Sequence, residues 1–280
     1  MVVLIPHHSR TDHLVRCLSA VRDWPVCVVD DSPSGVAPLP VPTVRTSGNT
    51  GFAAAINCGL AQLEAQGTRL VLILNDDAAV EPGCIDALVS AWTDADGALG
   101  PVLIDGEGRQ TAGIRIGMAG RVRSNRGGGA GEVDALSGAC LLIRATERLD
   151  PAYVHGFEDL DLCRRLHARS LAVRVVPDAR CTHAGGATVG ARSRPAQRAA
   201  IAGHLRYLGP GWRQGVAIAL AACQVVAERG PVDRAWGILE GCRDHYWPRH
   251  STGAPGASPL ASSIRAEARA SSSPGSSKTR

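Results

Sequence analysis

Aromatic residues are scarce in this chain of 280: two Phe, three Tyr and five Trp make up 4% of it. Methionine is scarcer still, with two. An aromatic-rich core is thereby excluded, and the interior must be packed from Val, Leu, Ile and Ala within a hydrophobic share of 45%. Long apolar runs are also missing. The longest, Val216 to Ala227, is about half of what a bilayer-spanning helix needs. It reads as a buried or partner-facing helix, so no transmembrane segment is expected and peripheral membrane contact stays open. The apolar start Val2-Val3-Leu4-Ile5 is too short for a secretory signal and has no basic leader. Charge is nearly balanced at +4, and no basic stripe interleaved with aromatics is present, which argues against nucleic acid as a partner. The small excess is local, because from Arg249 onward five basic residues face Glu267 alone. The nine cysteines are odd in number, scattered, and make no Cys-x-x-Cys pair. That pattern fits reduced, buried thiols of a cytoplasmic protein rather than disulfides or a zinc site.

The chain does contain short buried strands alternating with helical patterns. Val2–Ile5, Val26–Val29, Leu70–Leu74, Ala98–Ile104, Leu136–Ile143 and Val173–Val176 read as strands, the last closed by Pro177. Between them, Leu14, Cys17, Leu18 and Val21 share a helical spacing, as do Phe52, Ile56, Leu60 and Leu63. Pro82 sits where a helix accepts its first residue. This alternation predicts an α/β fold with a mostly parallel, doubly wound sheet and helices on both faces. Residues 105–133 are Gly-rich and read as a loop or hairpin excursion. From about 190 the pattern is helical, and beyond 250 it is Ser/Pro/Gly/Ala-rich, the composition of a disordered tail.

Four acidic or polar clusters could carry chemistry. The run Leu70-Val71-Leu72-Ile73-Leu74 ends abruptly in Asn75-Asp76-Asp77, where open α/β sheets place their ligands. Such carboxylates could bind a divalent metal that carries phosphate, or could simply form a solvated turn. Asp30-Asp31 follows the second strand and could accept a base N–H or cap a turn. Glu158-Asp159 opens a helix, where acids complement the dipole or supply a general base. His183 follows Pro177-Asp178 and could complete a metal sphere or lie at the surface.

Taken together and in order, these segments resemble the inverting glycosyltransferases of family 2, and the likeness covers roughly residues 1–190. Val2-Val3-Leu4-Ile5-Pro6 resembles the opening strand, and Val28-Val29-Asp30-Asp31-Ser32 the nucleotide-contacting turn. Asn49-Thr50-Gly51-Phe52 with Asn57-Cys58-Gly59-Leu60 resembles the family's helix entry. Asn75-Asp76-Asp77 resembles Asp-x-Asp in the Asn-first form of rhamnosyltransferase-like members. Ser137-Gly138-Ala139-Cys140 resembles the acceptor-side strand, and Glu158-Asp159-Leu160-Asp161-Leu162 the Glu-Asp-x-Asp-Leu helix. Two departures are Asn75 in place of the first Asp and a short aromatic lead, Ala152 to Phe157, before Glu158.

The resemblance implies a GT-A type catalytic domain over 1–190, a helical C-terminal region over 191–250, and a disordered tail over 251–280. It implies sugar transfer from a nucleotide-diphosphate donor, with UDP- or dTDP-sugars favoured, to a hydroxyl of a small molecule or glycan, assisted by Mg²⁺ or Mn²⁺. Asp159 would be the base with Glu158 beside it. Pro6, Asp30, Asp31, Asn49, Gly51, Asn57, Asn75 and Asp76 would hold the donor, and Asp77 and His183 the metal. Homodimerisation stays open. The rival readings are a sugar-phosphate nucleotidyltransferase, for which Pro6-His7-His8-Ser9-Arg10 lacks a Gly-rich phosphate loop, and a non-catalytic nucleotide-sugar-binding protein.

Overall fold

A computed structural model describes residues 1–117, 120–126, 131–153, 156–183, 194–227 and 232–246. The first half alternates strand and helix: β1 (Val2–His7), α1 (Thr11–Ala20), β2 (Val26–Asp30), β3 (Thr43–Arg45), α2 (Phe52–Ala65), β4 (Leu70–Leu74), β5 (Ala78–Val80), α3 (Cys84–Ser90) and β6 (Asp96–Ile104). The Gly-rich excursion carries the short strands β7 (Gln110–Thr111), β8 (Ile114–Ile116), β9 (Val122–Ser124) and β10 (Gly131–Glu132). Next come β11 (Cys140–Arg144), α4 (Glu158–Ala168) and β12 (Ala172–His183). Helices α5 (Arg194–Leu208), α6 (Trp212–Ala227) and α7 (Val232–Tyr246) follow. The expected tail beyond 250 lies outside the described residues.

The main sheet runs β10-β12-β6-β11-β4-β1-β2-β3. β3, β2, β1 and β4 pair in parallel, as do β6 and β12, while β11 is antiparallel to both β4 and β6. Six of these strands therefore point the same way, so their carboxyl ends share one edge. Because β11 runs the other way, its amino end joins them there.

Side-chain alternation sends the strands' apolar groups to two separate cores. Leu4, Val71, Ile73, Leu141 and Ile143 pack on one face with Ile56 and Leu60 of α2 and Leu160, Leu162 and Leu166 of α4. Val3, Ile5, Leu72, Leu74 and Leu142 pack on the other with Leu14 and Cys17 of α1 and Ile85 and Leu88 of α3. Every residue of β4 after Leu70 is fully buried, as a strand covered by helices on both faces requires.

Several details depart from the sequence expectation. β1 runs through Pro6 to His7 rather than ending at Ile5, and β11 begins at Cys140 rather than at Leu136. β12 does not stop at Pro177. It passes through it to His183, with a register shift against β6 between Val176 and Arg180. A proline is tolerated there because a bulge removes the ladder bond it cannot donate. Helix α3 begins at Cys84 rather than beside Pro82, after Gly83 in a left-handed conformation.

Candidate active site

The shared edge gathers the segments that the sequence singled out. β4 ends at Leu74 and releases Asn75-Asp76-Asp77. β11 starts beside it, with Cys140 opposite Leu74 and the Asn75 amide bonded to the Ala139 carbonyl at 2.9 Å. One residue back, the Gly138 amide donates to Asp159 Oδ2 at 2.9 Å. The dipeptide Gly138-Ala139 thus ties the acidic tip of β4 to the start of α4. A Cβ on Gly138 would lie 3.5 Å from Asp159 and 3.6 Å from Phe52, so glycine lets these three segments close on one another. The last residue of β12, His183, pairs with Ala78 of β5, which brings the end of the chain's longest strand to the same tip.

The three residues of the tip have different partners. Asp76 is held by His7 of β1, whose Nδ1 lies 2.8 Å from Oδ2. Asp77 faces His183, Oδ1 to Nε2, at 3.1 Å. Burial pushes the Asp77 carboxyl up, but the hydrogen bond and charge of His183, with the charge of His13, outweigh it, and the group lies below the usual carboxylate range. Asn75 Oδ1 is buried without a hydrogen-bond partner. A cavity of about 310 Å³ opens over the tip, lined by His13 and Arg16 of α1 with Asp76, Asp77, Asp105 and His183.

Asp77 and His183 suit a divalent cation. Two ligands about 2.1 Å from one ion and at right angles to each other lie about 3 Å apart, close to the separation seen. A carboxylate with an imidazole is a donor set that Mn²⁺ accepts. Among the described residues no group of three or more His, Cys, Asp or Glu side chains could hold an ion alone.

Glu158 and Asp159 occupy the first turn of α4. Glu158 is buried, and its Oε2 is the second buried side-chain polar atom without a partner among the described residues. Burial, and next the charge of Asp159, push its carboxyl up to about 8. Burial raises Asp159 too, against hydrogen bonds from the Gly138 and Leu160 amides. Two amide donors favour the anion at Asp159, whereas at Glu158 backbone hydrogen bonds only partly offset burial and the neighbouring charge. Burial raises both carboxyls, and Glu158 holds its proton up to about 8.

That protonation has a stability signature. The unfolded Glu158 ionises near 4.5, while the folded one holds its proton up to about 8. Between these values a rising pH favours unfolding, because the unfolded state releases the proton first. Glutamine cannot ionise. The melting temperature of Glu158→Gln relative to the parent should therefore climb from pH 5 to about pH 8 and then level off. A difference that stays constant from pH 5 to 9 would show that Glu158 is an ordinary carboxylate.

The remaining expected donor contacts turn out to be heavily engaged within the protein. Asp30 accepts from the Ser32 amide and hydroxyl, the Val36 amide and Arg45. Burial alone would raise it, and these bonds bring it down to about 2. Asp31 accepts from Thr46, from the Thr50 amide and hydroxyl, and from the Gly51 amide. Asn49, in the left-handed region with φ 55, donates its amide to the Asp31 carbonyl at 2.6 Å. Asp31 therefore folds the Gly48–Gly51 loop against the end of β2, while Asp30 holds the Ser32–Val36 turn and Arg45. Both sides of the Asn57 amide group bond the Leu149 backbone, which makes it a clamp between α2 and the segment before α4. Pro6 is partly exposed in β1, beside His7. Two participants were not singled out as site residues from sequence: His7, whose position after the strand's Pro6 was the available signal, and Gly138, visible only as the glycine of Ser-Gly-Ala-Cys.

A parallel-dominated α/β sheet with its acidic ends gathered on one edge in this way is a GT-A type fold. Residues 2–144 match the sequence model of glycosyl transferase family 2, and the chain belongs to that family. No curated protein matches it significantly. Among solved structures it is similar to GalNAc-T7 with UDP, GalNAc and Mn²⁺, at 15% identity and a TM-score of 0.53. That match covers 65% of this chain but 42% of the other, so the chain spans less than half the length of that structure. The TarS fragment 1–349 of S. aureus matches over 90% of this chain and 73% of its own, at 14% identity and a TM-score of 0.46.

Proposed function

We propose that the protein is a metal-dependent, inverting glycosyltransferase that moves a sugar from a nucleotide-diphosphate donor to an acceptor hydroxyl. The observation that carries this reading is the Gly138-Ala139 bridge, which sets a proton acceptor, Asp159, beside an acidic tip suited to diphosphate and cation. Asp159 takes the acceptor's proton as that oxygen attacks the anomeric carbon, and the bond from this carbon to the diphosphate breaks on the opposite side. Burial pushes the Glu158 carboxyl up to about 8, and Asp159, held by the Gly138 and Leu160 amides, is the member placed to take the proton. Asp77 and His183 would hold a divalent cation, Mg²⁺ or Mn²⁺, which would offset charge on the departing diphosphate. Arg16, lining the same cavity, adds positive charge toward the phosphates. Mn²⁺ accompanies UDP in the GalNAc-T7 structure, which supports this choice of cation.

UDP- and dTDP-sugars are the favoured donors, and the Asn75-first tip brings dTDP-deoxyhexoses into the set. No described helix is long and apolar enough to cross a membrane. A soluble small molecule or a glycan is the favoured acceptor, and the free cysteines suit a reducing, cytoplasmic setting. Family membership leaves the nucleotidyltransferase reading without support.

Thermal-shift titration with UDP-, dTDP- and GDP-sugars, with and without Mn²⁺, tests the donor and the cation together. A cognate donor at a hundred times its Kd stabilises the fold by about 2.7 kcal/mol. The expected result is one nucleotide class that stabilises only when Mn²⁺ or Mg²⁺ is present. Stabilisation that is equal without a divalent ion would remove the metal from the proposal.

A further inference from the structure

Phe157 immediately precedes the acid–base pair and has φ 73, a left-handed conformation that is strained for a bulky residue. It is the N-cap of α4 yet makes no side-chain capping bond. Something else must hold it there. Its ring stacks on His204 of α5, centroids 5.1 Å apart with the planes 16° from parallel, and leans on Tyr207 at 5.9 Å. His204 is itself fixed, because its Nε2 lies 2.8 Å from the Gly120 carbonyl. Tyr207 is fixed by Arg164 of α4, whose guanidinium lies 4.7 Å from the ring centre and donates to the Tyr207 carbonyl at 2.8 Å. Gly203 makes the approach feasible. A Cβ there would sit 3.1 Å from the Gly156 carbonyl and 3.3 Å from the Phe157 ring.

We propose that His204 is a positioning residue: by stacking on Phe157 it holds the left-handed start of α4, and so keeps Asp159 against Gly138. The mechanical chain is short. Phe157 supplies the carbonyl that accepts from the Asp161 amide at 2.9 Å, the bond that winds the first turn. If Phe157 relaxes to a negative φ, that turn reorients and the Asp159–Gly138 bond opens. Displacing a catalytic group by about 1 Å can cost on the order of 10²-fold in rate. A helix from the C-terminal region thus acts on the site without touching substrate. The inference rests on the reading of Asp159 as the base.

The test uses the full chain, Mn²⁺ and a mixture of UDP-, dTDP- and GDP-hexoses, and measures nucleoside diphosphate release. His204→Ala should lower kcat by about 10- to 100-fold while donor KM moves by less than about twofold. His204→Phe keeps a stacking ring and should restore kcat to within about threefold. Phe157→Ala keeps a Cβ, for which the left-handed turn is unfavourable, but loses the stack, so it should lose kcat as His204→Ala does, and it serves if His204→Ala fails to fold. Wild-type kcat in both of these variants would overturn the proposal. So would kcat loss in step with a KM rise and without recovery in His204→Phe, the mark of general packing. Wild-type turnover by Asp159→Asn would instead overturn the base assignment itself. If none of the donors is turned over, carbon-13 NMR of labelled Glu decides alone: the Glu158 titration near 8 should fall toward the ordinary range in His204→Ala and Phe157→Ala, and an unmoved titration would overturn the inference.

Discussion

Asp159→Asn is expected to remove most sugar transfer while leaving donor affinity intact. A positioned general base contributes about 10²–10⁴-fold, so the variant should lose at least that much in kcat with donor Kd unchanged. The geometry explains why the loss should fall on kcat. Asp159 is held by the amides of Gly138 and Leu160, whereas the expected diphosphate and cation partners are the Asn75–Asp77 tip and His183 on the other side of the Gly138-Ala139 bridge. Asparagine keeps the shape but must turn its amide nitrogen toward one of those two donors. A stability loss of about 1–3 kcal/mol should accompany the change. Melting curves separate this from unfolding, and titration of the cognate nucleotide separates it from lost binding. Turnover at the parent rate would sink the base assignment and leave a donor-binding site in search of another chemistry.

Much of the fold was legible because burial writes itself into short runs. The five residues Leu70–Leu74 read as a strand covered on both faces, and they are. The Glu158–Ala168 helix and its acidic first turn were equally plain. What the sequence hid was direction and partnership. Nothing in an apolar run tells parallel from antiparallel, so β11 could not be seen to reverse, although that reversal is what brings Gly138 to Asp159. For Asp30 and Asp31 the sequence leaves a base contact and a capped turn both open, and only the resemblance points to the donor. Their partners, Arg45, Thr46, Thr50 and Gly51, lie 15 to 20 residues on, and only the fold folds them back. Asn57 is the extreme case, since its partner Leu149 is 92 residues away. Phe157 gave no hint of a left-handed turn, because that conformation is stabilised by α5 rather than by its own neighbours.

The second large effect concerns the tip itself, where two neighbouring aspartates should behave differently. Asp77→Ala is expected to abolish the Mn²⁺-dependent part of donor stabilisation and to cut turnover by about 10²–10⁴-fold, since several kcal/mol of charge stabilisation would be lost. Asp76→Ala should cost less, because Asp76 is already paired with His7 and its removal leaves Asp77 and His183 facing each other. His183→Ala should weaken Mn²⁺ about 10- to 100-fold and leave a residual response, one ligand of the pair remaining. The three variants form an order, Asp77 most affected, His183 next, Asp76 least, and Mn²⁺ titration in the presence of the cognate nucleotide reads it directly. The order follows from pairing rather than from proximity to the strand end, since Asp76 and Asp77 are adjacent in the chain. If Asp76→Ala removed the Mn²⁺ response and Asp77→Ala kept it, the cation would belong to the His7 side of the tip, and the Asp77–His183 contact would be a structural ion pair joining β5 and β12 to the end of β4.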